Sequence, residues 1–233
     1  MTTPPGSVRD ALDALCRTGV VWGPPGTRPA PDLPSTDGPG RGAPGVPVRP
    51  AAVLVLLGAL GGRTSPRGAE DVEVLLVERA ASLSHHPGQV AFPGGRLDPD
   101  DAGPVAAALR EATEETGIDT AGVDVVGTLA PLPLPVSNHV VTPVLAWWAA
   151  PSAVRAVDAG ESAAVLSVPV SGLVDPDNRR VARIDRGGRP FDTPAFVVGT
   201  RIVWGFTGIV LDRVLDGLGW TVPWEPRPIT MPR

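Results

Sequence analysis

The segment Arg110-Glu111-Ala112-Thr113-Glu114-Glu115-Thr116-Gly117 places three carboxylates and a guanidinium within little more than one helical turn, and Arg110 stands fifteen residues beyond the Gly94-Gly95 pair. On a helix, positions i, i+3 and i+4 share a face. Glu111, Glu114 and Glu115 are therefore expected to project together, with Val105, Ala108, Leu109 and Ala112 forming an opposite, buried stripe. Carboxylates so close repel one another by roughly 0.2–0.5 kcal/mol per i,i+4 pair even when exposed, a cost that a bound cation removes. Ligands that are all oxygen favour Mg²⁺ or Mn²⁺ over zinc. The alternative is a solvated charged face, the usual meaning of a Glu-rich helix.

The surrounding residues weigh against that alternative. Six defined positions (Arg110, Glu111, Glu114, Glu115, Gly117 and the earlier glycine pair) coincide by chance in about one window in 10⁷ to 10⁸. The pattern resembles the Nudix box, Gly-x5-Glu-x7-Arg-Glu-U-x-Glu-Glu-x-Gly-U with U a bulky aliphatic; Gly95 opens it and Ile118 supplies the last aliphatic. Three departures stand out. The spacing from Gly95 to Arg110 is one residue longer, an acidic cluster of Asp98, Asp100 and Asp101 replaces the early glutamate, and Ala112 occupies a U position. Upstream, Leu75-Leu76-Val77-Glu78-Arg79-Ala80 and Leu83-Ser84-His85-His86-Pro87-Gly88-Gln89-Val90-Ala91-Phe92-Pro93-Gly94-Gly95 resemble the motif of the coenzyme A pyrophosphatase branch of Nudix hydrolases. That branch is similar in its longer spacing, its Asp-rich loop and its Ala-Leu-Arg-Glu-Ala run.

The resemblance implies a metal-dependent pyrophosphohydrolase that cleaves coenzyme A or a derivative to 3′,5′-ADP and (acyl-)4′-phosphopantetheine. Another nucleoside diphosphate linked to X, such as an ADP-sugar or a dinucleotide, is the alternative substrate. A catalytically silent nucleotide-binding regulator is the alternative from another class. Glu111 and Glu115, one turn apart, are read as direct ligands of Mg²⁺ or Mn²⁺, and Glu114 as a further or water-bridged ligand. By resemblance the Gly94 carbonyl is a backbone ligand. Arg110 is expected to pair with a neighbouring glutamate and fix its rotamer; otherwise it makes an ordinary surface ion pair. Glu161, the only glutamate between the box and Glu225, inherits the distal role of metal ligand or general base if this chain has one, and is otherwise an exposed loop residue. Arg79 is a candidate phosphate ligand because its planar guanidinium can bind two oxygens at once. His86 and Gly95 join it as substrate-binding candidates. His85 and His86 alternate faces on extended chain and so do not chelate one ion together.

Composition bounds the remaining possibilities. The chain has 233 residues, a hydrophobic content of 42% and a net charge of −5, enough apolar material for a core and the wrong sign for nonspecific nucleic-acid binding. Its single cysteine, Cys16, has no internal disulfide partner. Residues 1–13 lack an apolar signal region, and the longest apolar run, 51–60, is too short to span a bilayer and reads as a buried strand. A cytoplasmic protein with no membrane or nucleic-acid partner is the simplest reading, and a homodimer is an open arrangement.

These residues need a scaffold to hold them. Ser7 is a cap for a short helix whose apolar face is Val8, Leu12 and Leu15, and Gly19 ends it. Residues 23–50 are dominated by Pro and Gly and read as a connector, without the lysine of a phosphate loop. Two regions follow, 1–47 as N-terminal helix and linker and 48–233 as the Nudix domain. Strands are expected at 52–57, 72–78, 123–129, 140–148, 181–184 and 195–203, with a stiff proline-set connection at 131–135. A helix is expected at about 205–218, with Phe206, Ile209, Val210 and Val214 inward. Trp147, Trp148, Trp220 and Trp224 read as core or interface. The order suggests an α/β fold, a Nudix-like α/β/α sandwich with a mixed β-sheet.

Overall fold

An apolar run without alternation is what a strand covered on both faces requires. Residues 51–58 form most of such a strand: Ala52, Leu54 and Leu56 enter one core, while Val55 and Leu57 enter another on the opposite face. The structure, a computed structural model, describes residues 7–22, 48–63, 65–83, 87–134, 137–186 and 189–231. In chain order these form α1 (Val8–Thr18), β1 (Arg49–Ala59), β2 (Val72–Arg79), β3 (Val90–Ala91), β4 (Gly94–Arg96), α2 (Pro104–Thr116), β5 (Val123–Thr128), β6 (Leu132–Leu134), β7 (His139–Trp148), β8 (Ser162–Pro169), α3 (Val170–Val174), β9 (Arg179–Arg186), β10 (Arg189–Val198), β11 (Arg201–Val203), α4 (Gly205–Gly217) and β12 (Pro228–Thr230).

The main sheet runs β3-β2-β1-β7-β5, with β4 also on β1, β6 on β7 and β8 on β2. Only β1 and β7 are parallel in it, which makes the sheet mixed, as expected. Helix α2 covers one face through Ala107, Ala108 and Ala112, which meet Ala52, Leu54, Leu56 and Leu75. The other face packs Val55, Leu57, Val74 and Leu76 against α1, α3, α4 and a second sheet of order β11-β10-β9-β12.

Helix α1 matches its expected bounds. The Ser7 hydroxyl accepts from the Asp10 amide at 3.2 Å, and Gly19, at φ 74°, closes the last turn onto the Leu15 carbonyl. Its apolar face lies in the same core as β1 and α4, and the side chain of Leu15 sits where a Cβ on Gly217 would fall.

The proline connection carries the short strand β6, and the stretch expected as one strand at 195–203 is a hairpin, β10 turning into β11 at Gly199, whose φ is 59°. Arg179, at the start of β9, is buried between the rings of Phe196 and Trp224, 4.5 and 4.8 Å from their centroids, and pairs with Asp212 of α4. That clamp fixes the segment after α4 to the second sheet. Among the described residues no helix is long and apolar enough to cross a membrane.

Candidate active site

Helix α2 starts with Pro104 in its first turn and stops at Gly117, which adopts the left-handed conformation at φ 67°. Its alanine-rich inner face brings the backbone close to β1. Its C-terminal half then lies against β4, where two glycines are sterically required. A Cβ at Gly94 would sit 2.4 Å from the Ala52 carbonyl oxygen, and one at Gly95 would sit 2.4 Å from the Glu111 carboxyl carbon. The Gly94-Gly95 pair thus lies in a short strand paired with β1, held close enough for its backbone to meet the helix's carboxylates.

The three glutamates separate. Glu115 turns inward, 9% exposed, and its Oε2 accepts from the Gly94 amide at 3.0 Å. Glu111 is half-buried over Gly95. The side chain of Glu114 is 58% exposed. This corrects the expectation of one shared acidic face, and the buried stripe is shifted as well: Ala107, Ala108, Ala112, Glu115 and Thr116 are buried, whereas Val105 and Leu109 only border the core. Among the described residues no three acidic, histidine or cysteine side chains are assembled around a common ion position.

Arg110 gathers Glu111 and Glu114, and Glu115 alone goes to the Gly94 amide. The Arg110 Nη1 donates to Glu111 at 3.0 Å and to Glu114 at 3.1 Å, while Nε and Nη2 hold Asp101 at 3.2 and 3.0 Å and Nη2 also reaches the Arg96 carbonyl at 3.1 Å. Of the three aspartates in the acidic loop, Asp101 is the one that grips Arg110 with both oxygens, and the Arg110 guanidinium holds the Asp101 carboxyl below its usual range.

Burial pushes the Glu115 carboxyl up to about 7; the Gly94 amide and the Arg79 charge oppose that shift, and the negative charges of Glu111 and Glu161 add to it. Glu111 is raised as well, by burial, against the pull of Arg110. Arg79 and Glu161, far from the helix in sequence, are therefore close enough to act on Glu115. Arg79 ends β2 at a bulge between Glu78 and Arg79; its amide donates to Gln89 at 2.9 Å, and its Nε is buried with no hydrogen-bond partner. Glu161 lies in the turn before β8, its carbonyl accepting from Ala80 at 2.8 Å and its side chain exposed. His86 lies outside the described residues, as do Ser84 and His85.

Three site-side residues were not expected from sequence. Ser162 faces Arg79 across the β2–β8 pairing, and Arg201 of β11 binds Glu78. Only an ion pair across 123 residues identifies the last two, and no local pattern signals it.

The donor chemistry suits a hard divalent cation. Two carboxylates, Glu111 and Glu115, stand one turn apart beside the Gly94-Gly95 backbone, and both are raised by burial in a way that a cation would relieve.

The NUDIX domain profile matches residues 51–183, more than half of the chain. The chain belongs to the Nudix family. The uncharacterized Nudix hydrolase NudL of Cronobacter sakazakii is 38% identical over 144 residues, 61% of this chain and 74% of that protein. NudL of Photorhabdus laumondii, likewise uncharacterized, is 33% identical over 141 residues, 60% of this chain and 74% of that protein. Among solved structures, a Nudix hydrolase from M. smegmatis, RenU, is 27% identical with a TM-score of 0.41, covering 52% of this chain and 70% of that one. Nudix hydrolases act on diphosphate bonds and generally use divalent metal ions such as Mg²⁺ or Mn²⁺, and this chain is a hydrolase of that type. The Nudix match runs from β1 into β9; α1, α4 and strands β10 to β12 lie beyond it.

Proposed function

We propose that the chain is a metal-dependent pyrophosphohydrolase of coenzyme A or its acyl or oxidised derivatives, releasing 3′,5′-ADP and (acyl-)4′-phosphopantetheine. The observation that carries the reading is the meeting at Glu115 of the Gly94 amide with the charges of Glu111, Arg79 and Glu161. The choice of coenzyme A rests on the resemblance of residues 75–95 and of the longer box to that branch. Part of that segment is fastened to the main sheet, since the Pro93 carbonyl accepts from the Leu54 amide at 2.8 Å and the Gln89 carbonyl from the Arg79 amide at 2.9 Å.

Hydrolysis adds a water oxygen to one phosphorus, leaves the bridging oxygen on the other phosphate, and requires a group to accept the water's proton. Glu111 and Glu115 would hold the divalent ion, with the Gly94 carbonyl and Glu114, directly or through water, completing its oxygen ligands. When bound, that ion neutralises the diphosphate and favours attack by water. Arg110 fixes Glu111 and anchors the acidic loop through Asp101. Arg79, with His86 and the Gly95 backbone, binds the substrate's phosphates. Glu161, an exposed carboxylate whose charge reaches Glu115, accepts the proton or adds a metal ligand.

The test is hydrolysis of coenzyme A with Mg²⁺ and then Mn²⁺, beside Glu115→Gln, following both products by chromatography. Metal-dependent product that the variant loses supports the reading. No product with either metal, but turnover of an ADP-sugar or dinucleotide, moves the substrate to that class; nucleotide binding without turnover of any substrate makes the chain a silent regulator.

A further inference from the structure

Glu111 and Glu114 are held by Arg110, and Glu115 by the Gly94 amide. Glu161 is different: its side chain is exposed, and among the described residues no donor holds its carboxylate. The backbone that carries Glu161 therefore sets where that carboxylate goes.

This backbone is fastened at both ends. The last carbonyls of a helix have no partner within it. In α2 the Glu115 carbonyl accepts from the Val157 amide at 3.2 Å and the Thr116 carbonyl from the Arg155 amide at 3.0 Å, so residues 155–157 hang from the end of the helix that carries the glutamates. At the other end the Glu161 carbonyl accepts from the amide of Ala80, the residue after Arg79, at 2.8 Å. Between these points Asp158 closes a turn. Its Oδ1 accepts from the Gly160 amide at 2.7 Å, and its carbonyl accepts from the Glu161 amide at 3.1 Å and the Ser162 amide at 2.9 Å. Oδ1 lies so close that a Cβ on Gly160 would stand 3.1 Å from it. A side-chain oxygen that bonds the amide two residues on takes the place of a backbone turn. Residues 158–161 are all exposed, so hydrogen bonds rather than burial give the turn its shape. From this mount the charge of Glu161 reaches Glu115.

We propose that Asp158 is a positioning residue for the reaction: its side chain fixes the turn that aims the Glu161 carboxylate toward Glu115. This rests on the reading of Glu161 as proton acceptor or metal ligand, and adds to it the residue that gives that carboxylate its place. The turn needs an oxygen that accepts from the Gly160 amide, not a charge, and an asparagine side chain offers one.

Asp158→Ala, Asp158→Asn, Glu161→Gln and Asp158→Ala/Glu161→Gln test the mount with whichever diphosphate the wild type cleaves. Asp158→Ala should lower kcat about tenfold with KM within about threefold, because a reacting group displaced by about 1 Å loses much of its effect. Asp158→Asn should keep kcat within about threefold of the wild type. Since Asp158 acts through Glu161, Asp158→Ala should change kcat by no more than about twofold once Glu161→Gln is present. Amide hydrogen exchange of the metal-free protein reads the turn without turnover: Gly160 should exchange at least about tenfold faster in Asp158→Ala and near the wild-type rate in Asp158→Asn, with Tm lowered by no more than about 3 °C in either. Unchanged exchange at Gly160 in Asp158→Ala, wild-type kcat in that variant beside a slow Glu161→Gln, or an equal loss with and without Glu161 overturns the proposal and leaves the role of Glu161 intact. Wild-type kcat in Glu161→Gln overturns both. If the diphosphate cleaved is not coenzyme A, the same comparison decides the proposal and only the substrate reading falls.

Discussion

Arg201 grips one oxygen of Glu78 with two nitrogens, Nε at 2.9 Å and Nη2 at 2.7 Å, and so ties the second sheet to the strand end that carries Arg79. Arg201 lies beyond the residues that match the Nudix profile, yet its partner Glu78 is the neighbour of the phosphate-binding candidate, and the extra residue of β8, Ala163, shifts the β2–β8 register between the two. A bulge disrupts the ladder locally, and opposite this one Arg201 fastens the end of β2 from the second sheet.

The pair should therefore affect substrate binding more than stability. Both side chains are partly exposed, so Arg201→Ala should cost no more than about 1 kcal/mol, a fall in Tm of roughly 2–4 °C. KM for the diphosphate substrate should rise by about threefold to tenfold as Arg79 loses its fixed aim. The exchange Glu78→Arg/Arg201→Glu should restore much of the KM. A swap no better than the single variants would show that the pair does not position Arg79.

Glu115 gives the metal-free protein a defined pH response. Its carboxyl holds a proton up to about 7 in the folded chain, against an ordinary value of 4.5. Between those values the unfolded chain has released the proton and the folded chain has not, so stability falls as pH rises from about 4.5 through 7 and then levels. In EDTA, the Tm of the wild type should decline across that window relative to Glu115→Gln, by an amount worth a few kcal/mol at most. At pH 8, Mn²⁺ should raise the Tm of the wild type and leave Glu115→Gln unmoved. Parallel pH curves for the two proteins would mean that Glu115 does not carry the response.

Asp101 is the carboxylate that joins the acidic loop to the helix. It holds Arg110 with both oxygens, and Arg110 in turn holds Glu111 and Glu114. Asp101→Asn keeps the shape and removes the charge that orients the guanidinium. Supporting contacts of this kind are worth about 10–100-fold in metal affinity or activity. The variant should need more Mg²⁺ for half-maximal rate, with a smaller change in the rate at saturating metal. An unchanged metal requirement would reduce Asp101 to a loop fastening.

Which parts of this architecture are legible in the sequence follows from how local their causes are. Helix α1 is local: the Ser7 cap, the Gly19 stop and the spacing of Val8, Leu12 and Leu15 give its bounds without any neighbour. Strand β1 is local as well, since burial on both faces requires an unbroken apolar run. Strand β8 is not. Ser162-Ala163-Ala164-Val165-Leu166-Ser167 has small and polar side chains without clear alternation, and it is a strand because β2 offers it a pairing edge. The β10–β11 hairpin was hidden inside an apolar stretch, although Gly199 was a turn signal there. At the site, helical spacing brought Glu111, Glu114 and Glu115 together but could not tell which of two adjacent glutamates turns inward. The Gly94 amide and the Arg110 fork decide that, and both depend on tertiary contacts.

The first helix belongs to the core that supports the main sheet, so its loss should act on stability before it acts on chemistry. Leu12 is fully buried among residues that include Val55, Leu145 and Val214, and α1 lies against β5 and β7 on the face opposite α2. Leu12→Ala leaves a cavity that neighbouring strands cannot close, at a cost of about 2–5 kcal/mol. Tm should drop by roughly 6–15 °C. Because α2, Glu115 and Arg79 sit on or beyond the other face, kcat at a temperature well below the transition should stay within about twofold of the wild type. A variant with wild-type Tm would show that α1 adds nothing to the core, whereas one that stays folded but loses kcat would tie the helix to the site.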